Sequence, residues 1–320
     1  YYAREQLAEL SRLLPLGEDS FETFSFDWYD SAVQPAFGVS PRANMERNFD
    51  VCRDYAYQFA KGGGSLLLSG GILLLAYHIS FWLWFVLHTF WSYQILAARC
   101  LEQESRKVYW FLAAGDLSGA RTQLSYLVGR ETSQLSAEEV TKACVETVAE
   151  NTSDGVTAPL FYLLLGGVPL GFCYKAINTL DSMVGYRNAK YLFFGRASAK
   201  TDDAANWLPA RICGVLLTVS AFLLGLDGKG AWRIFRRDRN NHLSPNSAQT
   251  ESAAAGALGI QLGGTHVYFG EVVEKPTIGN ADRPAEPEDI PRTNGMMLAA
   301  SGLSLLGFGL LRLVVVLLLR

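Results

Sequence analysis

Charge is scarce in this sequence. Only 18% of its 320 residues are Asp, Glu, Lys or Arg, against about 25% in soluble domains, and the shortage is local. Residues 62–98, 155–174, 212–226 and 295–311 carry no Asp, Glu, Lys or Arg. Because a membrane-spanning helix needs about 20 mostly apolar residues, these runs exclude an ordinary soluble enzyme. They predict an all-α, polytopic integral membrane bundle with further helices and loops at the membrane surface. An excess of positive charge is also missing: 28 Lys and Arg stand against 31 Asp and Glu. Nucleic-acid binders show a basic stripe and a high isoelectric point, so nucleic acid is not expected as a partner. Cysteine is sparse and scattered, with Cys52, Cys100, Cys144, Cys173 and Cys213 each alone and the four histidines elsewhere. Neither a disulfide framework nor a thiolate zinc site is signalled.

Sharp catalytic motifs are absent as well. Lys61-Gly62-Gly63-Gly64-Ser65 has its glycines and lysine in the wrong order for a phosphate-binding P-loop. There is no G-x-G-x-x-G, G-x-S-x-G or H-E-x-x-H pattern. A nucleotide, if bound, does not use a standard loop.

Along the chain, the first 61 residues hold six Lys or Arg and ten acids. Pro15, Pro35 and Pro41 interrupt them, and they read as short helices and loops at the membrane surface. The opening on Tyr1 suggests an incomplete or processed start, and no signal peptide is seen. Residues 62–98 exceed one crossing, and His78-Ile79-Ser80-Phe81-Trp82 is the expected turn between two helices. Trp82, Trp84 and Trp91 suit interfacial anchoring, with His78 and His88 as interfacial or packed polar residues. Ser136-Ala137-Glu138-Glu139 is a capping box, after which Glu139, Lys142, Glu146 and Glu150 share one helix face. The stripe can be read as solvated surface, but Glu146 and Glu150 lead directly into Asn151-Thr152-Ser153-Asp154-Gly155 and an apolar run. That places carboxylates at the membrane boundary. Gly166-Gly167-Val168-Pro169 should break the run, giving a broken or re-entrant pair of short helices. A plain crossing would instead put Asp154 and Asp181 on opposite sides.

Arg233, Arg236, Arg237 and Arg239 form a juxtamembrane basic block that should face the cytoplasm. Residues 175–211, with six Lys or Arg against three acids, carry the same signal. Asn246 can cap a helix running through Ala253-Ala254-Ala255-Gly256-Ala257 towards Gly263-Gly264. Small residues of this kind permit close helix packing. Residues 271–292 form a Pro- and acid-rich tail, and residues 296–319 supply a last crossing.

Three polar segments then stand out: residues 146–154, 178–211 and 237–246. Each joins carboxylates or amides to Gly or Pro beside an apolar element. Taken singly, each is ordinary capping and loop chemistry. Together they offer carboxylates that can hold Mg²⁺ with substrate phosphates completing the shell, and cations that can hold phosphate.

At these segments the sequence resembles a known family. Leu127-Val128-Gly129-Arg130-Glu131-Thr132-Ser133, Val145-Glu146-Thr147-Val148-Ala149-Glu150-Asn151, Asn178 to Tyr186, Asp202-Asp203 through Pro209-Ala210-Arg211, and Asp238-Arg239-Asn240-Asn241-His242 with Ser244-Pro245-Asn246 are similar to motifs of the CobD/CbiB family of cobalamin biosynthesis. So are Gly256 to Gly264 and Tyr268-Phe269-Gly270-Glu271. The resemblance runs in order from about Gly62 to the C-terminus, leaving 1–61 as an atypical N-terminal segment without the family's opening Gly-Asp-Pro and His-Pro motifs.

The resemblance implies an adenosylcobinamide-phosphate synthase. Such an enzyme is multi-pass in the cell's inner membrane, uses ATP and Mg²⁺, and joins aminopropanol or its phosphate to adenosylcobyric acid through an amide. Its partners would be the corrinoid substrate, the amine, the lipid bilayer and other corrinoid-pathway enzymes. Glu146, Glu150 and Asp181 are then the catalytic candidates, and Asp154, Asp202 and Asp203 the metal candidates. Arg130, Asn151, Lys175, Asn178, Asn206, Arg211, Arg237, Arg239, His242 and Asn246 would bind substrate or phosphate. The rival class is a non-catalytic membrane sensor or a transporter. A transporter should carry inverted repeats, and the sequence has no second copy of the Glu-Asn-Thr or Asp-Ser-Met segments.

Overall fold

The computed structural model describes residues 69–184, 194–268 and 271–318; the polar segment 1–61 lies outside them. The chain forms two compact units. The larger comprises Gly70–Asn178 and Thr201–Arg320, the smaller Tyr1–Ser69 and Thr179–Lys200. Apart from Ser69, residues 179–184 and residues 194–200, every described residue belongs to the larger unit.

Helix α1 (Ser69–Ile79) and α2 (Phe81–Ile95) are separated by Ser80, whose backbone is extended, within the expected turn. At about 1.5 Å per residue neither described helix reaches crossing length. Their Leu73 and Ile95 join Val168 in an apolar cluster lined by Trp84, Leu87 and Trp91. Helices α3 (Ala98–Ala113) and α4 (Leu117–Ser125) follow, and Asp116 caps α4 by accepting the Gly119 N–H at 2.8 Å. Helix α5 (Ala137–Thr152) opens on the expected capping box, with Ser136 and Glu139 exchanging side-chain and backbone bonds. Its polar stripe turns inward along its length: Glu139 is exposed, whereas Glu146 is buried.

One wide π-turn, Ser153–Thr157, links α5 to α6 (Ala158–Val184). Such bulges insert a residue into the helical ladder and recur at functional sites; this one carries Asp154. Helix α6 is two helices. Gly166 (φ −139°, ψ 20°) and Gly167 (φ 65°, ψ −160°) leave helical geometry, the second in the left-handed region that glycine alone adopts freely. Beyond the break the chain doubles back. The Tyr162 and Tyr174 rings stack with centroids 5.0 Å apart, although twelve residues of straight helix would separate them by about 18 Å. The Tyr174 hydroxyl also donates to the Asp154 carbonyl at 3.1 Å. The apolar run is thus re-entrant, and Asp154 and Tyr174 lie at one level. The Arg312 guanidinium donates to the Leu163 and Leu164 carbonyls just before the break, which helps satisfy backbone that lost its helical partners.

Helices α7 (Phe194–Leu223), α8 (Gly228–Asp238) and α9 (Ser247–Leu258) complete the centre. Every residue of α9 is buried, which its Ala, Ser and Gly content permits. A Cβ at Gly256 would stand 2.5 Å from the Gly230 carbonyl of α8, so the two backbones touch. The Asn246 side chain makes no capping bond to α9. It turns instead to Asp203 and Arg211.

Helix α9 stops at Gly259, whose φ is 66°, short of Gly263-Gly264. The chain then forms an antiparallel hairpin, β1 (Leu262–Tyr268) with β2 (Glu271–Ile278), bulged between Gly263 and Gly264. The last helix, α10 (Asp289–Leu318), begins seven residues before 296. Asp289 suits a helix start and is fixed there by Arg283, Arg292 and the Glu286 N–H.

Among the described residues, three helical stretches are long and apolar enough to cross a membrane: Ala137–Ser182, Ser198–Leu223 and Asp289–Leu318. The first doubles back at Gly167, so its length is not a crossing length. Leu and Val from Leu305 to Leu318, with Trp207, Leu208, Phe222 and Leu223, are exposed, as apolar surface that meets lipid would be. This is a membrane protein. The principal core gathers around Val108, Leu124, Val145, Leu258, Ile260 and Ile290.

Candidate active site

The carboxylates drawn from separate stretches of sequence converge on Glu150, near the end of α5. Ser247, the first residue of α9, donates its hydroxyl to Glu150 Oε1 at 2.7 Å. One turn further along α9, Glu251 is buried within electrostatic reach of both Glu150 and Glu146. On the other side Glu150 lies within reach of Asp154 in the π-turn and of Asp202 on α7. Lys175 is close to Asp154, and Lys275 of the hairpin is close to Glu251 and His242.

An amide and hydroxyl relay holds the α6–α7 side. Asp202 accepts from the Asn206 Nδ2 at 3.0 Å and from the Asn178 Nδ2 at 3.3 Å, and Asn206 Oδ1 accepts from the Tyr174 hydroxyl at 2.7 Å. The loop before α9 is tied to α7. Asp203 accepts from the Ser244 hydroxyl through its carboxylate, and from Asn246 through its backbone carbonyl. Arg211 donates to Asn246 Oδ1 and lies over the Trp207 ring, 4.2 Å from its centroid. The Arg239 charge reaches Arg211.

His242 is oriented by the Ser244 N–H, which donates to its Nδ1 at 3.0 Å. Burial pushes the imidazole pKa down and the Lys275 charge adds to this, while Glu150 and Glu146 oppose it only in part. His242 is therefore neutral at neutral pH, with its proton on Nε2. In that state it offers a hydrogen-bond donor and not a base.

Four expected site residues, Glu146, Arg130, Asn151 and Arg237, are engaged by the frame of the protein. Glu146 Oε2 is paired with Arg130, and its Oε1 accepts the Gly263 N–H at 2.8 Å. The pair thus ties the 130 loop and the hairpin to α5. Asn151 donates to the Thr147 carbonyl one turn back in its own helix. Arg237 is held by Asp238, Asn280 and the Gly279 carbonyl. Burial pushes the Asp238 carboxyl up, but Arg237 and the Gly279 N–H outweigh it and hold the group below the usual carboxylate range. Asp181 lies on the last turns of α6, in the smaller unit.

Glu251, Lys275, Ser247 and Tyr174 are the residues that reading the sequence missed. A signal existed for Glu251, a lone acid in a run of small residues, four positions from Ser247 and so on its helix face. Among the described residues no three His, Cys, Asp or Glu side chains form a group able to hold a metal ion. The donor set therefore does not fit a protein-only metal cage. A Mg²⁺ held here would take one or two carboxylates and complete its shell with phosphates and water.

Burial, reinforced by Glu150 and Glu146, pushes the Glu251 carboxyl well above the usual range, against the opposing charges of Lys275 and Arg130. The folded state then keeps a proton that the unfolded chain releases above its ordinary value. The stability this contributes is complete below that ordinary value, near 4.5, and is lost as pH rises through the raised one. Glu251→Gln removes the titration. Its unfolding temperature in detergent should exceed the parent's at alkaline pH and fall less steeply with pH; an unchanged slope would show that Glu251 is already ionised in the fold.

A family described as CobD/Cbib protein matches residues 41–297. The cobalamin biosynthesis protein CobD of Listeria monocytogenes serotype 4b (strain F2365) is 51% identical over 242 residues, covering 76% of this chain and 77% of that protein. Its counterpart from Geobacter metallireducens is 60% identical over 191 residues, 60% of each chain. The cobalamin biosynthesis protein CbiB of Salmonella arizonae is 50% identical over 243 residues, 76% of each chain. No solved structure matches the chain.

Proposed function

The chain belongs to the CobD/CbiB family and acts in cobalamin biosynthesis, and we propose that it forms the amide between a propionate of adenosylcobyric acid and aminopropanol or its phosphate. The observation that carries the reading is the junction at Glu150, where acids of α5, α7, α9 and the π-turn lie within electrostatic reach of one another, with Arg211 tied through Asn246 to Asp203, the neighbour of Asp202. An acid-rich centre suits an amine, and an arginine suits phosphate.

A carboxylate is a poor acyl donor. In the proposed reaction a propionate oxygen of the corrinoid attacks the γ-phosphorus of ATP, giving an acyl phosphate and ADP. The amine then attacks the acyl carbon, loses a proton and expels inorganic phosphate. Arg211 and Arg239 would hold phosphate oxygens as charge shifts among them. The His242 Nε2–H would donate to an acyl or phosphate oxygen. Glu150, fixed by Ser247 through one carboxylate oxygen, would accept the amine proton through the other. Asp154 and Asp202 would hold a nucleotide-borne Mg²⁺, which when bound neutralises phosphate charge. Lys175, Asn178 and Asn206 orient those two acids. We place the protein in the cell membrane with this site at the cytoplasmic face, a reading supported by the Arg233, Arg236, Arg237 and Arg239 block. Other enzymes of the pathway would deliver and receive the corrinoid there.

Detergent-purified protein given ATP, Mg²⁺, adenosylcobyric acid and aminopropanol phosphate should yield amide, ADP and phosphate in equal amounts, and EDTA should stop the reaction. Folded protein that makes no amide overturns the assignment, and corrinoid uptake by vesicles containing it would point to a transporter.

A further inference from the structure

Helix α8 presents two faces of opposite character. Gly228, Gly230, Ala231, Ile234, Phe235 and Asp238 are buried, with Gly230 and Ala231 backbone to backbone with α9. The outer face carries Lys229, Trp232, Arg233 and Arg236, all exposed. Their spacing of three, four and seven residues aligns them in one stripe. Lys229, Arg233 and Arg236 have no ion-pair or side-chain hydrogen-bond partner among the described residues, unlike Arg237, which Asp238 holds. Pairing among the described residues therefore does not account for these cations.

Their position in the chain supplies a partner. Helix α7, one of the three stretches able to cross a membrane, ends at Leu223. Phe222, Leu223 and Leu224 are exposed there, and α8 starts four residues later, capped by Asp227. The cationic stripe thus continues directly from lipid-facing apolar surface. Trp232, 44% exposed and stacked on Phe235, is the residue type that settles at the headgroup level.

We propose that the outer face of α8 binds anionic phospholipid headgroups, with Lys229, Arg233 and Arg236 contacting the phosphates and Trp232 seated at the interface. The contact does not rest on the proposed amide-forming reaction. Each cation near an anionic surface strengthens binding about fivefold, so three together give on the order of a hundredfold.

The test is native mass spectrometry and thermal unfolding of the detergent-solubilised full chain, titrated with phosphatidylglycerol or phosphatidylcholine. The parent should retain phosphatidylglycerol and be stabilised by it in preference to phosphatidylcholine, less so as salt is raised. Lys229→Gln/Arg233→Gln/Arg236→Gln should lose that preference by on the order of a hundredfold in lipid concentration, while Arg106→Gln/Lys107→Gln, which removes exposed charge from α3, should keep it. Equal response to both lipids overturns the proposal, as does a preference that survives in the triple variant. Inorganic phosphate that stabilises the parent as well as phosphatidylglycerol does, at matched ionic strength, reassigns the face to a soluble anion and equally overturns it. A triple variant whose unfolding temperature without lipid falls well below the parent's is replaced by the single Arg236→Gln, for which a several-fold loss of preference is expected and an unchanged preference is fatal.

Discussion

Glu150→Gln should lower the rate of amide formation by about 10²–10⁴-fold, the usual contribution of a positioned general base, with little change in unfolding temperature. The substitution is nearly isosteric, and the Gln amide oxygen can still accept the Ser247 hydroxyl that now bonds Glu150 Oε1 at 2.7 Å. What it removes is the second carboxylate oxygen and the negative charge felt by Asp154, Asp202, Glu251 and His242. An amine is nucleophilic only when unprotonated, so the variant should recover part of its rate as pH rises and solvent removes the proton instead. Initial rates at saturating ATP, measured across pH beside a detergent unfolding curve, separate the outcomes. A loss under tenfold, or a loss matched by an equal fall in stability, would make Glu150 a structural acceptor for α9 and move the base to another acid of the cluster.

The parts of this fold legible in the sequence are those fixed by local backbone chemistry. Gly166, Gly167 and Pro169 foretold the break because no helix carries that triplet undisturbed, and the break is what returns Tyr174 to the level of Asp154. Ser136 and Glu139 foretold the start of α5 for the same reason. The hairpin at Leu262–Ile278 was hidden because Gly263-Gly264 follows a run of small helix formers and reads as its end. The alternation Thr265, His266, Val267, Tyr268 was the available strand signal.

The candidate site was legible as three polar segments and not as a set of roles. Periodicity places Glu146 and Glu150 on one face of α5, one turn apart. It cannot show that Arg130 claims the first and Ser247 the second, since those partners lie 16 and 97 residues away. Asn246 illustrates the same limit. Its type and position suit a cap, but the nearby Asp203 carbonyl and Arg211 guanidinium compete for its side chain and win.

Glu146→Gln and Arg130→Met should each destabilise the fold by about 3–5 kcal/mol, the usual cost of removing one partner from a buried ion pair. Both side chains are nearly enclosed, at 6% exposure for Arg130 and 10% for Glu146. Each single variant leaves its partner charged in a place where water cannot make up the loss. Glu146 has a second duty, since its Oε1 also accepts the Gly263 N–H at the base of the hairpin, and Gln can preserve that bond through its amide oxygen. Combining Arg130→Met with Glu146→Gln therefore removes both charges while keeping the hydrogen bond. The double variant should be less destabilised than the sum of the singles by about 1 kcal/mol or more, within the range found for coupled neighbours, about 0.5–3 kcal/mol. Denaturant or thermal unfolding of all four proteins in one detergent measures this coupling. Because the pair fixes the hairpin that carries Lys275 but leaves Glu150 in place, the double variant should retain most of its amide-forming rate at temperatures where it is folded. Additive stability losses would mean that the two charges are compensated separately. A rate loss as large as that of Glu150→Gln would place Glu146 among the reacting groups after all.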